Sequence, residues 1–308
     1  MAVRTVSILV ECLILLTCFA LRLSPPEAAE VFAPGIVSTG KEFGLTFTPD
    51  GNEAYFTRFV AAEKKHHIFE TVWKDGQWQP ATKISFSEEP YSDLDPFISP
   101  DGKRLFFVST RPAPGSPANM QARNMDIWMA ERDGKRWAPP HWIENINSDH
   151  KEGSPTVARD GTLYFFSDRE ALPNVNSIYA SRLVRGSYEK PVRLPSQVNS
   201  GASDTSPFIS PDGATLLFYS TRPGGYGGAD LYVSFRRHGR WTEALNLGPN
   251  VNTVESEYNP SASPDGQTLF WGRNGNIYFL PISSLHLKQL KPKLFKAQEA
   301  SARWPPIQ

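Results

Sequence analysis

The chain repeats one short phrase five times, and this repetition constrains the fold more than any other feature of the sequence. An Asp-Gly pair closes the phrase each time, at spacings of 51, 59, 52 and 53 residues: Asp50, Asp101, Asp160, Asp212 and Asp265. Four of the five read Pro-Asp-Gly, and Arg159 takes the proline position in the third. Proline presets φ, aspartate bonds to the local backbone and glycine accepts a positive φ, so each phrase predicts a tight turn.

The segments around each turn have the composition of β-strands. Residues 207–210 read Pro-Phe-Ile-Ser before the fourth turn and residues 215–220 read Thr-Leu-Leu-Phe-Tyr-Ser after it, which predicts a hairpin. A third apolar strand follows at residues 230–234, then a glycine just before an aromatic residue (Gly239 and Trp241), then a more polar fourth strand. Four strands in a repeat of about 50 residues predict an all-β fold, a β-propeller of four-stranded blades.

The two ends of the repeat array predict how the ring closes. The fifth repeat has its third strand near residues 276–279 but lacks the glycine–aromatic fourth strand, and residues 31–37 resemble that missing phrase. We therefore expect residues 31–38 to complete the last blade, giving five blades within residues 30–285 and protecting strand edges. Six blades are the alternative if the Lys-rich tail, residues 286–308, adds strands; we interpret that tail as an appendage.

The repeated phrase resembles a known family. The Ser-Pro-Asp-Gly turn, the Leu-Leu-Phe strand, the Ser-Thr-Arg exit (residues 109–111 and 220–222) and the Asp-Leu-Tyr strand are similar to those of TolB-like, WD-like β-propellers over about residues 41–282. The resemblance implies the propeller fold, but its motifs are not specific for a function. The family's namesake is periplasmic, with six blades and an N-terminal α/β domain. Only five turns occur here and we expect no such domain, so a role in the Tol system does not carry over.

The N-terminal segment predicts export. Arg4 precedes an uncharged run from Cys12 to Leu21 that is too short to span a bilayer comfortably, and Ala28-Ala29 offers small residues for cleavage. We expect a signal peptide over residues 1–29 and a periplasmic or extracellular mature domain without a membrane span. An uncleaved anchor is one alternative. A lipoprotein signal at Cys18 is less favoured, because Thr17 stands where Gly, Ala or Ser is expected.

Charge and motif content exclude several classes of function. The chain has 32 basic and 32 acidic side chains, which gives no electrostatic case for a nucleic-acid partner. Both cysteines lie in the predicted signal, so the mature chain would have no thiol chemistry. The sequence contains neither a Gly-x-Ser-x-Gly elbow nor a His-Glu-x-x-His motif, and we interpret His66-His67 as part of a charged loop. We therefore expect no catalytic residue, no metal and no cofactor.

One polar pattern occurs in every repeat. An acidic residue stands eight positions before each turn aspartate: Glu42, Asp93, Glu152, Asp204 and Glu257. An arginine stands eight to ten positions after each turn aspartate: Arg58, Arg111, Arg169, Arg222 and Arg273. In a hairpin these residues lie opposite each other, near the channel mouth away from the turn, and can form bidentate pairs. The fivefold repetition favours a structural pair in every blade over a ligand or cation site, because catalysis needs unlike groups.

The sequence favours an exported, non-enzymatic, monomeric scaffold that binds a protein, a peptide or an envelope glycan. The loops on the face opposite the turns vary most, and we expect ligand contacts there from Arg111, Arg123 and Tyr226. A carbohydrate-active hydrolase or lyase is the alternative, but it would use two carboxylates. Asp95 and Glu144 are acids that depart from the repeat, and the sequence identifies a partner for neither. A purely structural envelope module is the third interpretation.

Overall fold

The computed structural model describes residues 28–88, 90–116, 125–169 and 175–285, and these residues form a five-bladed β-propeller. All of its regular structure is β-strand except one 3-10 turn, Ile282–Ser284. The predicted fold class, an all-β ring of five blades, is confirmed. The tail at residues 286–308 and residues 1–27 of the predicted signal peptide lie outside the described residues.

Each blade begins with a hairpin whose two strands flank the predicted turn. The inner strands are β2 (Glu42–Phe47), β7 (Asp93–Ile98), β12 (Glu152–Val157), β18 (Asp204–Ile209) and β23 (Tyr258–Ala262). The second strands are β3 (Glu53–Val60), β8 (Arg104–Ser109), β13 (Leu163–Ser167), β19 (Thr215–Ser220) and β24 (Thr268–Arg273). They are apolar on both faces because every sheet is packed between two neighbouring sheets.

The outer half of each blade has a third strand and much shorter outermost strands. The third strands are β4 (Lys65–Lys74), β9 (Asp126–Asp133), β14 (Ser177–Ser181), β20 (Asp230–Arg237) and β25 (Asn276–Pro281). Two-residue strands complete the edges of four blades: β5 (Gln77–Trp78), β6 (Thr82–Lys83), β10 (Arg136–Trp137), β11 (His141–Trp142), β15 (Leu183–Val184), β16 (Ser187–Tyr188), β17 (Val192–Arg193), β21 (Arg240–Trp241) and β22 (Leu245–Asn246). Such short edge strands leave little unpaired backbone for association with other chains.

The N-terminal segment completes the fifth blade as predicted, but over fewer residues. Strand β1 (Glu30–Val31) pairs antiparallel with β25, and the N–H of Phe32 donates to the carbonyl of Ile277 at 2.8 Å. The predicted pairing over residues 31–38 is wrong in its extent, because the chain turns at Ala33, whose φ is 41°. Beyond that turn, the hydroxyl of Ser38 hydrogen-bonds to both the carbonyl and the N–H of Ile277, at 3.3 and 3.1 Å.

Candidate functional site

The structure brings the repeated acid and arginine together in every blade. The pairs, called clamps below, are Glu42–Arg58, Asp93–Arg111, Glu152–Arg169, Asp204–Arg222 and Glu257–Arg273. Every clamp carboxylate is fully buried, and 13–19% of each arginine side chain is exposed. The nitrogen–oxygen distances are 2.6 Å in the first blade, 2.8 Å in the third, 2.7 Å in the fourth and 3.7 Å in the fifth.

Each of the first four clamps also holds the connection that enters its blade. In the fourth blade, Nη2 of Arg222 donates to the carbonyl of Val198 at 2.7 Å, while Asp204 accepts the N–H and hydroxyl of Ser200 at 2.6 and 2.9 Å. The corresponding carbonyls in the first three blades belong to Ile36, Phe86 and Ile146. The clamp groups are bonded within the protein, and this arrangement supports a structural role.

Aromatic rings lie beneath the clamp arginines. The guanidinium carbon of Arg222 is 5.3 Å from the ring centroid of Phe218 and 4.6 Å from that of Tyr232, and these two rings stack across neighbouring strands. Equivalent pairs lie under three other clamp arginines: Phe56 with Phe69, Phe107 with Trp128, and Phe165 with Tyr179. Cation–π contact adds to the ion pair, so the clamp and the aromatic strand positions repeat together.

A second repeated contact was missed by the sequence analysis. Side chains of three asparagines bond to both the N–H and the carbonyl of a third-strand residue, at 2.7–3.0 Å: Asn147 to Ile127, Asn199 to Ile178 and Asn252 to Leu231. The sequence does carry a signal for it. Each asparagine stands five positions before its clamp acid, between Ile or Val and Ser or Thr.

The channel contains a third ring, in which the five repeats differ. Two residues after each clamp acid, the inner strand shifts register and one residue takes a positive φ of 45–66°: Gly44, Asp95, Ser154, Ser206 and Asn259. These residues line a channel cavity of about 30 Å³. A Cβ on Gly44 would lie 3.2 Å from Oδ1 of Asp95, so this glycine makes room for the carboxylate.

Asp95 is the acidic member of the channel ring. Its Oδ2 accepts the hydroxyl of Ser154 at 2.6 Å, and its Oδ1 accepts Nδ2 of Asn259 at 3.0 Å. Burial raises the pKa of Asp95 above its ordinary range, although the hydrogen bonds from Ser154 and Asn259 oppose the shift. Asp95 therefore binds a proton more tightly in the folded protein than in the unfolded chain.

Replacing Asp95 by asparagine is expected to stabilise the protein most at high pH. A raised folded-state pKa means that the free energy of unfolding falls as pH rises through the interval above the unfolded pKa, and asparagine removes this loss. Asparagine also tolerates the positive φ, as Asn259 shows. The melting temperature of the variant should exceed that of the parent by a margin that grows from about pH 4 to about pH 8. The control D101N should show the opposite trend, because the pKa of Asp101 is lowered.

Two phenylalanines divide the channel. Phe97 and Phe208 come from the second and fourth blades, and their rings meet edge to face with centroids 6.3 Å apart. Both residues line the small polar cavity on one side and a larger cavity on the other. The channel is therefore divided between a polar compartment and an apolar compartment.

The apolar compartment opens on the face that carries the Pro-Asp-Gly turns. This cavity, called the funnel below, has a volume of about 180 Å³. Its walls are mostly apolar, and they are formed by Phe47, Phe97, Ile98, Phe208, Ile209 and Ala262. Polar residues also line it: Thr46, Ser99, Ser210, Asp212, Ser263 and Asp265. Its rim is formed by Arg159 and four prolines: Pro49, Pro100, Pro211 and Pro264. The side chain of Arg159 is exposed and forms no ion pair among the described residues. Arg159 thus replaces the repeat's proline at a position on this rim.

Two of the ligand contacts predicted from sequence, Arg111 and Tyr226, lie on the other face. Arg111 directs four N–H donors to Asp93, Ser109 and the carbonyl of Phe86, so little of its guanidinium is left for a ligand. Arg123 lies outside the described residues. Tyr226 is 49% exposed, and Asp230 holds its loop by accepting the backbone N–H groups of residues 226 and 227. The structure therefore leaves Tyr226 as the accessible member of the predicted set.

The described residues were also considered for metal-ligand clusters and membrane-spanning helices. In the part of the chain that the structure describes, no three His, Cys, Asp or Glu side chains come together to hold a metal ion. Over the same residues, none of the helical structure is long or apolar enough to cross a bilayer.

Comparison with known proteins defines the class of fold. Neither family models nor curated proteins match the chain. Among solved structures, putative TolB from Agrobacterium tumefaciens aligns with a TM-score of 0.51 and 14% identity, over 79% of this chain and 78% of that one. The α-L-arabinofuranosidase from Lactobacillus brevis aligns at 0.53 and 13%, over 82% and 92%.

A third similar structure is TolB from Acinetobacter baumannii, with a TM-score of 0.47 and 20% identity over 78% of this chain. The chain spans about half (54%) of that TolB. At these identities the comparisons show the fold alone. The protein has a β-propeller fold similar to that of the TolB structure from Agrobacterium tumefaciens, as the repeated phrase predicts.

Proposed function

We propose that the protein is an exported, non-enzymatic scaffold that binds a protein or peptide through its propeller. The observation that carries the proposal is the funnel, because it is an open apolar cavity whose lining groups belong to none of the clamps. Its volume of about 180 Å³ is below the several hundred Å³ typical of drug-sized ligands, and it suits an inserted apolar side chain. An apolar lining favours a protein or peptide over an envelope glycan.

The loop face predicted from sequence is a second candidate surface within the same proposal. Tyr226 offers an exposed ring on a loop fixed by Asp230, and such a ring suits a peptide or a sugar. Binding at this surface would involve Tyr226 directly and would leave the funnel open. The two surfaces can therefore be separated by variants on each face.

A binding experiment with one variant on each face tests the proposal. The full chain is immobilised, incubated with envelope extract and, in parallel, with a glycan array, and the captured partner is identified and titrated. Filling the funnel with A262L and reversing the rim charge with R159E should each weaken binding at least tenfold. Y226A should leave the affinity unchanged if the funnel is the site and abolish it if the loop face is. Retained affinity in all three variants would exclude both surfaces.

The alternative enzyme, a carbohydrate-active hydrolase or lyase, has weaker support. Asp95 is the carboxylate of the channel ring, and its neighbours there are glycine, serine and asparagine. Glu144 lies exposed on the surface. Burial raises the pKa of Asp126 to about 6, against a hydrogen bond from Trp142, but Asp126 stands on a third strand away from the channel ring. The channel ring therefore offers one carboxylate rather than a pair, and the two carboxylates that line the funnel, Asp212 and Asp265, each accept an N–H group of their own turn.

Export is the remaining element of the proposal. The charged start, the uncharged run and Ala28-Ala29 support cleavage near Glu30, the residue at which strand β1 begins. N-terminal sequencing of protein recovered from cells should find a start near Glu30 in the periplasmic or secreted fraction. Intact Met1 on a cytosolic protein would contradict export.

A further inference from the structure

The turn face carries a ring of fixed carboxylates around the funnel. Each aspartate of the five turns accepts the N–H of the residue two positions on, as the structure shows for Asp50, Asp101, Asp160, Asp212 and Asp265. Partial burial alone would raise the pKa of Asp50, but hydrogen bonds from Thr48 and Asn52 outweigh it and lower the pKa. Lys103, Arg104 and Arg159 also stand on this face, and Arg104 forms an ion pair with the turn carboxylate of Asp101 at 3.9 Å.

The chain reaches the same face shortly before the tail begins, and the carbonyl of Ser284 then accepts Nδ2 of Asn250 at 3.2 Å. Strand β25 ends at Pro281 opposite Thr268, and the N–H of Ile282 donates to the carbonyl of Gln267 at 2.8 Å. Gln267 follows Gly266, which lines the funnel. The 23 residues from 286 to 308 can span at most roughly 75 Å when extended, which is ample to reach across the face.

The composition of the tail complements this face. Residues 286–308 contain five Lys or Arg side chains against one Glu, which is the opposite charge to that of the turn aspartates. They also contain large apolar side chains, among them Phe295 and Trp304. A tethered segment has an effective concentration in the millimolar range, so even a weak contact would be occupied.

We propose that residues 286–308 dock on the turn face of their own propeller, with basic side chains facing the turn aspartates and one large apolar side chain in the funnel. The tail would then compete with an external partner for the funnel. The competition rests on the proposed function, whereas the docking itself does not. The occupant is a segment of this chain; a second copy or a foreign peptide is the alternative that the experiment separates.

Photo-crosslinking of the full chain tests the docking. A benzophenone amino acid replaces Phe295 in one sample and Trp304 in another, and cross-linked peptides are mapped by mass spectrometry at low protein concentration. We expect cross-links within one molecule to funnel residues such as Phe97, Phe208 and Pro264. Cross-links to the loop around Tyr226, cross-links between molecules, or none on the turn face would overturn the proposal.

Charge variants show whether the contact is ionic. D212K removes one carboxylate of the ring and should reduce cross-linking several-fold, and added salt should have the same effect. R159E extends the acidic ring and should increase cross-linking. The matched control E255K changes an exposed acid on the opposite face and should leave the yield unchanged. Equal yields in all three variants would overturn the ionic contact. None of these readouts needs an external partner, so a failed partner search leaves this test intact.

Discussion

Replacing Phe32 by alanine is expected to destabilise the whole domain by about 3–5 kcal/mol, because Phe32 seals the junction that closes the ring. The side chain is fully buried and contacts the rings of Phe47 and Trp78 in the first blade and of Phe270 and Phe279 in the fifth. Its loss leaves a cavity between the first and last blades. For a domain of this size, a fall of roughly 10 °C in Tm should follow, measured by calorimetry of the full chain.

The matched control for Phe32 is Y226A, which removes an aromatic side chain that is 49% exposed. Its Tm should stay within about 1–2 °C of the parent value, because exposed substitutions rarely change stability by more than about 0.5 kcal/mol. Deleting residues 31–38 should have a larger effect than F32A, since it also removes Val37 and opens an edge on β25. An unchanged melting temperature in F32A would show that the ring closes without this junction.

The fold could be predicted because its information is local and repeated. Each Asp-Gly turn sets one hairpin, and five such hairpins at nearly constant spacing leave few architectures open. The extent of the N-terminal strand was less predictable. Residues 31–37 have strand-like composition, but the chain turns at Ala33, whose carbonyl accepts the N–H groups of residues 36–38, and Ser38 then bonds to Ile277, which is 239 residues away.

The clamps followed from hairpin register, while their surroundings did not. An acid and an arginine at the same end of a hairpin lie close together, and the structure pairs Glu42 directly with Arg58. In the second, third and fourth blades the acid lies opposite a serine, and the clamp arginine follows that serine by two residues. The asparagine contacts and the aromatic rings beneath the arginines involve third strands and connections. These distances depend on loop lengths that differ among the repeats, so turn spacing alone does not give them.

The contacts inside the channel could not be predicted from sequence, because they join residues of different blades. Asp95 stood out in the sequence as an acid without a partner, and its partners belong to the third and fifth blades, 59 and 164 residues away. The contact between Phe97 and Phe208 likewise crosses the channel between blades that are not neighbours. The predicted recognition surface lay on the variable loops, because the sequence alone does not reveal that the uniform turns surround the funnel.

Replacing Arg222 by alanine is expected to cost about 3–5 kcal/mol if the fourth clamp behaves as a fully buried pair. The variant leaves the carboxylate of Asp204 fully buried with only Ser200 as its donor, and it removes the bonds to Val198 and Ser220. The arginine side chain is 16% exposed, so water can reach the vacated site and bring the loss toward the lower value. Chemical denaturation of the full chain measures the change.

The exposed pair Arg182–Glu189 provides the matched control, because it has an equally short distance of 2.8 Å without burial. Its side chains are 73% and 42% exposed, so R182A should change the free energy of unfolding by at most about 1 kcal/mol. The difference between the two variants isolates the effect of burial from that of pairing. If the clamp is structural, R222A should lower stability while affinity for an identified partner stays within about twofold, which is about 0.4 kcal/mol. A variant that keeps its stability but loses the partner would instead assign the clamp arginine to recognition.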